Sequence, residues 1–170
     1  MRSVQLAPGL RVVGFGGSIP AYQDGKEVWE GYPYTEEQLG EGEDGKSVDD
    51  DEVDVEGDEG EAGGDDAVIL VTHVGPMSSG TTVDSHEAAQ PPILAGSSAL
   101  DNLVRTPELQ SKVLANIHGH VHEGSGQCFV GKVRVVNPGS VKYGGRFGTM
   151  TLVKHEGSPW DVEACTFYTI

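Results

Sequence analysis

Two short, largely apolar runs limit what this chain can fold into: Ala67-Val68-Ile69-Leu70-Val71-Thr72 and Val113-Leu114-Ala115-Asn116-Ile117-His118. Each is too short for an ordinary helix, and the first is strongly β-branched. Runs of this kind read as strands buried on both faces, in a sheet covered by other layers. Each delivers histidine at its carboxyl end: His73 after the first, and His120 and His122 after the second, which itself closes on His118.

In α/β proteins, ligands gather at the carboxyl ends of such strands, so imidazoles from both runs can converge there. His120 and His122, separated by one residue, form the denser metal-ligand signal. Gly119 is expected to take the sharp turn between strand and ligands, because it has no Cβ to clash. His118 belongs to the strand itself and is expected to point the other way, as a structural residue. His86, in a proline-rich loop, and His155 have no supporting context.

The remaining elements fit a mixed α/β class. Leu10 to Gly17 reads as a strand stopping in glycines, and Ser18 to Leu39 as a long loop in which Thr35–Leu39 makes one helical turn. Val74 to Gly96 is a second long polar loop. Ser97 or Ser98 can cap a helix bearing Leu100, Leu103 and Val104, and Thr106-Pro107 opens another. Gln127–Val130 and Val133–Asn137 form a hairpin ending at Pro138-Gly139-Ser140. Gly148–Lys154 and Val162–Ile170 form a closing antiparallel pair.

The net charge of −16 over 170 residues is a property of one segment. Between Glu41 and Asp66 stand 14 acidic residues and one lysine, a balance of −13 that leaves the rest of the chain at −3. This segment, residues 40–66, is too polar to offset its ordering entropy and is expected to be a disordered insertion in a single domain over 1–170. Its spacing does not follow a calcium-binding EF-hand loop. No Lys/Arg cluster offers a nucleic-acid-binding surface, and no apolar run approaches a membrane span. With no secretory-type apolar leader and only Cys128 and Cys165, the expected location is cytoplasmic.

Four blocks in order resemble the calcineurin-like metallophosphoesterase superfamily. They are Val12-Val13-Gly14-Phe15-Gly16-Gly17-Ser18, Thr72-His73-Val74-Gly75-Pro76, Gly119-His120-Val121-His122, and Asn137-Pro138-Gly139-Ser140. The resemblance implies a two-sheet α/β/β/α sandwich that hydrolyses phosphate mono- or diesters with two divalent ions, of Mn, Fe, Zn or Mg. It assigns His73 and His120 to one metal and His122 to the other. The phosphate ester would be the only partner it names.

The family's Asp-x-His, Gly-Asp and Asn-His-Asp/Glu blocks do not occur here, and the histidine that assists the leaving group belongs to the last of them. Asp84-Ser85-His86 imitates Asp-x-His but follows His73 instead of preceding it. The chain is therefore expected to supply the C-terminal half of such a domain, with the bridging carboxylates outside it. Alone it would be marginal or oligomeric, and its catalytic and substrate-binding residues stay unassigned. Without a bridging anion, three imidazoles hold one zinc more readily than two close metals. The competing expectation is a non-catalytic interaction module that keeps the phosphoesterase fold.

Overall fold

The computed structural model describes residues 2–17, 21–23, 25–29, 66–84 and 93–170. The expected helical turn at Thr35–Leu39, His86 and nearly all of the acidic segment lie outside these residues. The chain begins with β1 (Arg2–Ala7) and β2 (Leu10–Phe15), then the short pair β3 (Ala21–Gln23) and β4 (Lys26–Trp29). After β5 (Ala67–Thr72) come a 3-10 turn at Gly80–Thr82, β6 (Val83–Asp84) and β7 (Ile93–Leu94). Helices α1 (Ser98–Val104) and α2 (Pro107–Lys112) lead into β8 (Val113–Ile117). The hairpin β9 (Gly126–Val130) and β10 (Val133–Asn137) is followed by the one-turn α3 (Val141–Gly144), then β11 (Arg146–Lys154) and β12 (Trp160–Thr169).

A six-stranded sheet in the order β1-β2-β5-β8-β10-β9 organises the molecule. Its four central strands are parallel, and β1 and β9 flank them antiparallel. The two apolar runs therefore occupy the middle, where both faces are covered. On one face Leu70, Val133 and Val135 pack with Leu100 and Val104 of α1. On the other, Leu10, Ile69 and Ala115 pack with Val162, Met150, Leu152 and Trp160 of the β11–β12 pair. Burying a valine or leucine of this kind is worth roughly 1.5–3 kcal/mol, so these two clusters dominate the fold's apolar driving force. The register of β8 against β5 slips between Val68 and Ile69, which pair with Val113 and Ala115. That extra residue lets Val113 and Ala115 serve opposite faces.

The chain is thus a strand-rich, mixed α/β protein. Both helices start where capping chemistry places them: Ser97 Oγ accepts from Leu100 N, and Thr106 Oγ1 accepts from Leu109 N ahead of Pro107. Leu103 departs from the expected apolar stripe and is exposed, because the i, i+4 pair Leu100 and Val104 already fills the contact. The closing pair forms a separate two-stranded sheet laid on the main one. The two expected loops also hold structure, a four-stranded ribbon in the order β4-β3-β7-β6. Its strands are only two to four residues long, below the length at which alternation can be read. Val4 and Leu6 lie exposed on the edge strand β1. Among the described residues, no helix is long and apolar enough to cross a membrane.

Candidate metal centre

The blocks singled out in the sequence meet along one end of the sheet. Phe15 ends β2, Thr72 ends β5, Ile117 ends β8 and Asn137 ends β10, all parallel and adjacent. His73 and the 118–122 segment therefore leave neighbouring strands at the same edge. Their backbones are tied there, Gly119 N donating to His73 O at 3.1 Å and His118 N to Val136 O at 2.9 Å.

The imidazoles of His73 and His120 meet, with His73 Nε2 and His120 Nδ1 3.2 Å apart and the rings edge-on at 65°. Two nitrogens on one tetrahedral zinc, at about 2.0–2.1 Å each, stand about 3.3 Å from one another. The observed separation fits one edge of such a shell. Burial lowers the His73 pKa, with a further contribution from His122. Burial also pushes His120 down to about 4, helped by His73 and His122. Both rings are therefore neutral at neutral pH, one nitrogen of the pair donating to the other, and a metal takes the pair when the donating ring moves its proton to its far nitrogen.

His122 is placed differently. Its ring stacks on Tyr143, with centroids 4.4 Å apart and planes at 23°. Among the described residues, no group of three or more His, Cys, Asp or Glu side chains is arranged to hold a metal. Two of the three expected ligands are thus brought together, and the third stacks on Tyr143. Asp84 contributes only described backbone, and His155 sits in the β11–β12 turn. Both cysteines are unpaired thiols.

The sharp turn falls on His120 and not on Gly119. His120 has φ of 66°, the only described non-glycine residue with positive φ. Val121 N donates to Gly119 O at 2.8 Å, closing a three-residue γ-turn around it. Positive-φ γ-turns are rare and strained, and a histidine there costs on the order of 1–3 kcal/mol. Such strain persists where the surroundings over-determine it, and Asn137 does much of that. Its buried Nδ2 donates to Val121 O at 2.7 Å and to Thr81 O at 3.2 Å, while Oδ1 accepts from Gly139 N. One amide thereby binds the ligand loop, the 3-10 turn and its own turn together.

His118 is buried, as expected of a strand-facing structural residue. Its Nδ1 lies 3.0 Å from Gly119 O and therefore carries the proton, leaving Nε2 to accept from Thr81 Oγ1 at 2.7 Å. Desolvation lowers its pKa to about 4, opposed by the Gly119 hydrogen bond and assisted by His120 and His73. One position escaped the sequence reading: Tyr143 carried no signal beyond its place three residues after Ser140. Asn137 was legible as the head of the Asn137–Ser140 block, but its bonds to Val121 O and Thr81 O were not.

No family model matches this sequence, and no curated protein matches it. Among solved proteins, a crystal structure of 16% sequence identity superposes with a TM-score of 0.54. The match covers 99% of this chain and 52% of that one, so the chain spans about half the length of the structure it resembles. The likeness is one of fold.

Proposed function

We propose that this chain is a metal-dependent phosphoesterase element of the calcineurin-like metallophosphoesterase type, acting on phosphate mono- or diesters in the cytoplasm. His73 and His120 hold one divalent ion, and His122 is the donor available to a second. The observation that carries this reading is the 3.2 Å approach of His73 Nε2 and His120 Nδ1 at the carboxyl edge of the sheet. The strained γ-turn at His120 adds to it, because an outlier of this kind marks a residue placed for its side chain. Helices on one face of the sheet and a second sheet on the other support the two-sheet α/β/β/α sandwich of that family.

When bound, a divalent ion supplies a Lewis acid for the phosphoryl oxygens and a hydroxide at neutral pH. The protein's own part is to keep both imidazoles neutral and close, with His120 on a loop that Asn137 holds. Carboxylate donors of the family's bridging kind have no counterpart in the motifs of this sequence. The proposal includes their supply by a complementary half-domain or a second subunit.

Calorimetric titration with Zn²⁺ or Mn²⁺ tests the centre directly, alongside hydrolysis of an aryl phosphate in the presence of Mn²⁺. Binding lost in His73→Ala and in His120→Ala is the expected result. Activity that survives both substitutions, or binding indifferent to them, would overturn the site. The competing reading, a non-catalytic interaction module, draws on the commitment of His122 to Tyr143 and on the exposed Val4 and Leu6 of β1. It is favoured if the intact chain takes up neither metal.

A further inference from the structure

The contact between His122 and Tyr143 joins two segments that are each anchored independently. On one side, Val121 is held through its carbonyl by Asn137, which limits where His122 can start. On the other, α3 is a single turn fastened at both ends. Ser140 Oγ accepts from Tyr143 N at 3.3 Å, and Ser140 O accepts from both Gly144 N and Arg146 N. At the far end Gly145 adopts φ of 60°, and its carbonyl accepts from Ile170 N at 2.9 Å. A Cβ at Gly145 would run into Ile170 O, so the turn cannot easily shift. Lys142 Nζ lies 4.9 Å from the centroid of the Tyr143 ring. The backbone that carries the ring is therefore fastened, while the residue itself is 62% exposed and takes no part in either core cluster.

That ring holds the third imidazole of the centre. His73 and His120 are already at ligand spacing, while His122 lies flat on the phenol ring. Val121 alone separates it from His120, so it leaves the same loop as that ligand. We propose that Tyr143 is a positioning residue that parks His122 by stacking, and so sets how many imidazoles the centre offers to a metal. The inference rests on the metal-centre reading above and adds a control that the family motifs do not contain. An aromatic pair of this geometry stabilises by about 0.5–1.5 kcal/mol, which converts to roughly a twofold to tenfold effect on a competing equilibrium.

The test is Zn²⁺ titration of the full chain and four variants by calorimetry, with circular dichroism confirming that each is folded. Tyr143→Ala frees His122 and is expected to bind Zn²⁺ roughly twofold to tenfold more tightly than the unmodified chain. Tyr143→Phe keeps the stack and is expected to match the unmodified chain. Adding His122→Ala to Tyr143→Ala is expected to erase the gain. NMR of the His122 ring should show the loss of aromatic ring-current shift in Tyr143→Ala and its retention in Tyr143→Phe. Unchanged or weaker binding in Tyr143→Ala overturns the inference, as does a gain that persists without His122. The fourth variant, His73→Ala, separates the two levels. If it binds Zn²⁺ as the unmodified chain does, the centre itself is wrong; if it loses binding while Tyr143→Ala gains nothing, only the role of Tyr143 is wrong.

Discussion

Thr81 Oγ1 donates a 2.7 Å hydrogen bond to the buried His118 Nε2, tying the 3-10 turn after β5 to the ligand loop after β8. The ring on the accepting end must stay neutral to keep that bond, which makes acid the condition that breaks it. In the unfolded chain His118 titrates near 6.5, and in the folded protein near 4. Between those values the unfolded state binds the extra proton. Stability is therefore complete above about pH 6.5 and is lost as the pH falls towards 4, with little further change from this group below that. The shift corresponds to up to about 3 kcal/mol. Denaturant midpoints measured in EDTA between pH 7.5 and 4 should fall along that window. His118→Gln should make the dependence shallower, the lowered His73 and His120 supplying the remainder, and an unaltered slope would count against this origin.

The same ring leaves no room beside it. A Cβ built on Gly75 would meet His118 Nε2 at 2.5 Å, and Gly75 is itself buried. Gly75→Ala should destabilise by roughly 1–3 kcal/mol, the usual cost of overpacking a closed site. For a chain of this size that is a drop in Tm of about 2–4 °C per kcal/mol. The penalty belongs to the pair, so a double-mutant cycle with His118→Ala should return a coupling energy above 0.5 kcal/mol. Simple additivity would show that the clash is relieved elsewhere.

His120 is strained because its side chain is wanted where its backbone is uncomfortable. Glycine adopts φ of 66° without a Cβ penalty, so His120→Gly should raise the stability of the metal-free protein by about 1 kcal/mol. The same substitution removes one nitrogen of the His73–His120 edge and should abolish Zn²⁺ binding. A stabilised protein that no longer binds metal is the signature of a residue kept for function. If thermal melts in EDTA show His120→Gly to be clearly less stable, the γ-turn is not under the strain inferred here.

Much of this architecture was legible because hydrophobic periodicity and caps act over a few residues. The runs at Ala67–Thr72 and Val113–Ile117 could be buried strands only if flanked on both faces, and Ser97 and Thr106 announce the helix starts locally. The convergence of His73 on His120 was legible too, since each closes such a run. Three things were not. The ribbon strands at Ala21–Gln23 and Lys26–Trp29 are too short for a two-residue period to stand out. The turn went to His120 although Gly119 stood beside it, because long-range bonds from Asn137 and His73 decide the loop's path. The stack of Tyr143 on His122 depends on where α3 falls after β10, which nothing within a few residues of Tyr143 encodes.

Asn137 offers the most demanding check, because stability and metal binding should move together through one amide. Its side chain is fully buried, donates to Val121 O and Thr81 O, and accepts from Gly139 N. Asn137→Ala takes the side-chain partner from Thr81 O and Gly139 N and leaves Val121 O with Gly124 N alone. Each buried, unmatched polar group costs about 1–3 kcal/mol, with partial relief from water entering the space left behind. A net loss of about 3 kcal/mol is expected. Asn137→Asp is nearly the same shape but turns the Nδ2 donor into an acceptor facing two carbonyls, and should be at least as harmful. Because Val121 stands between His120 and His122, both variants should also weaken Zn²⁺ binding under conditions where they remain folded. Loss of stability with Zn²⁺ affinity intact would mean that the γ-turn holds His120 in place without the amide.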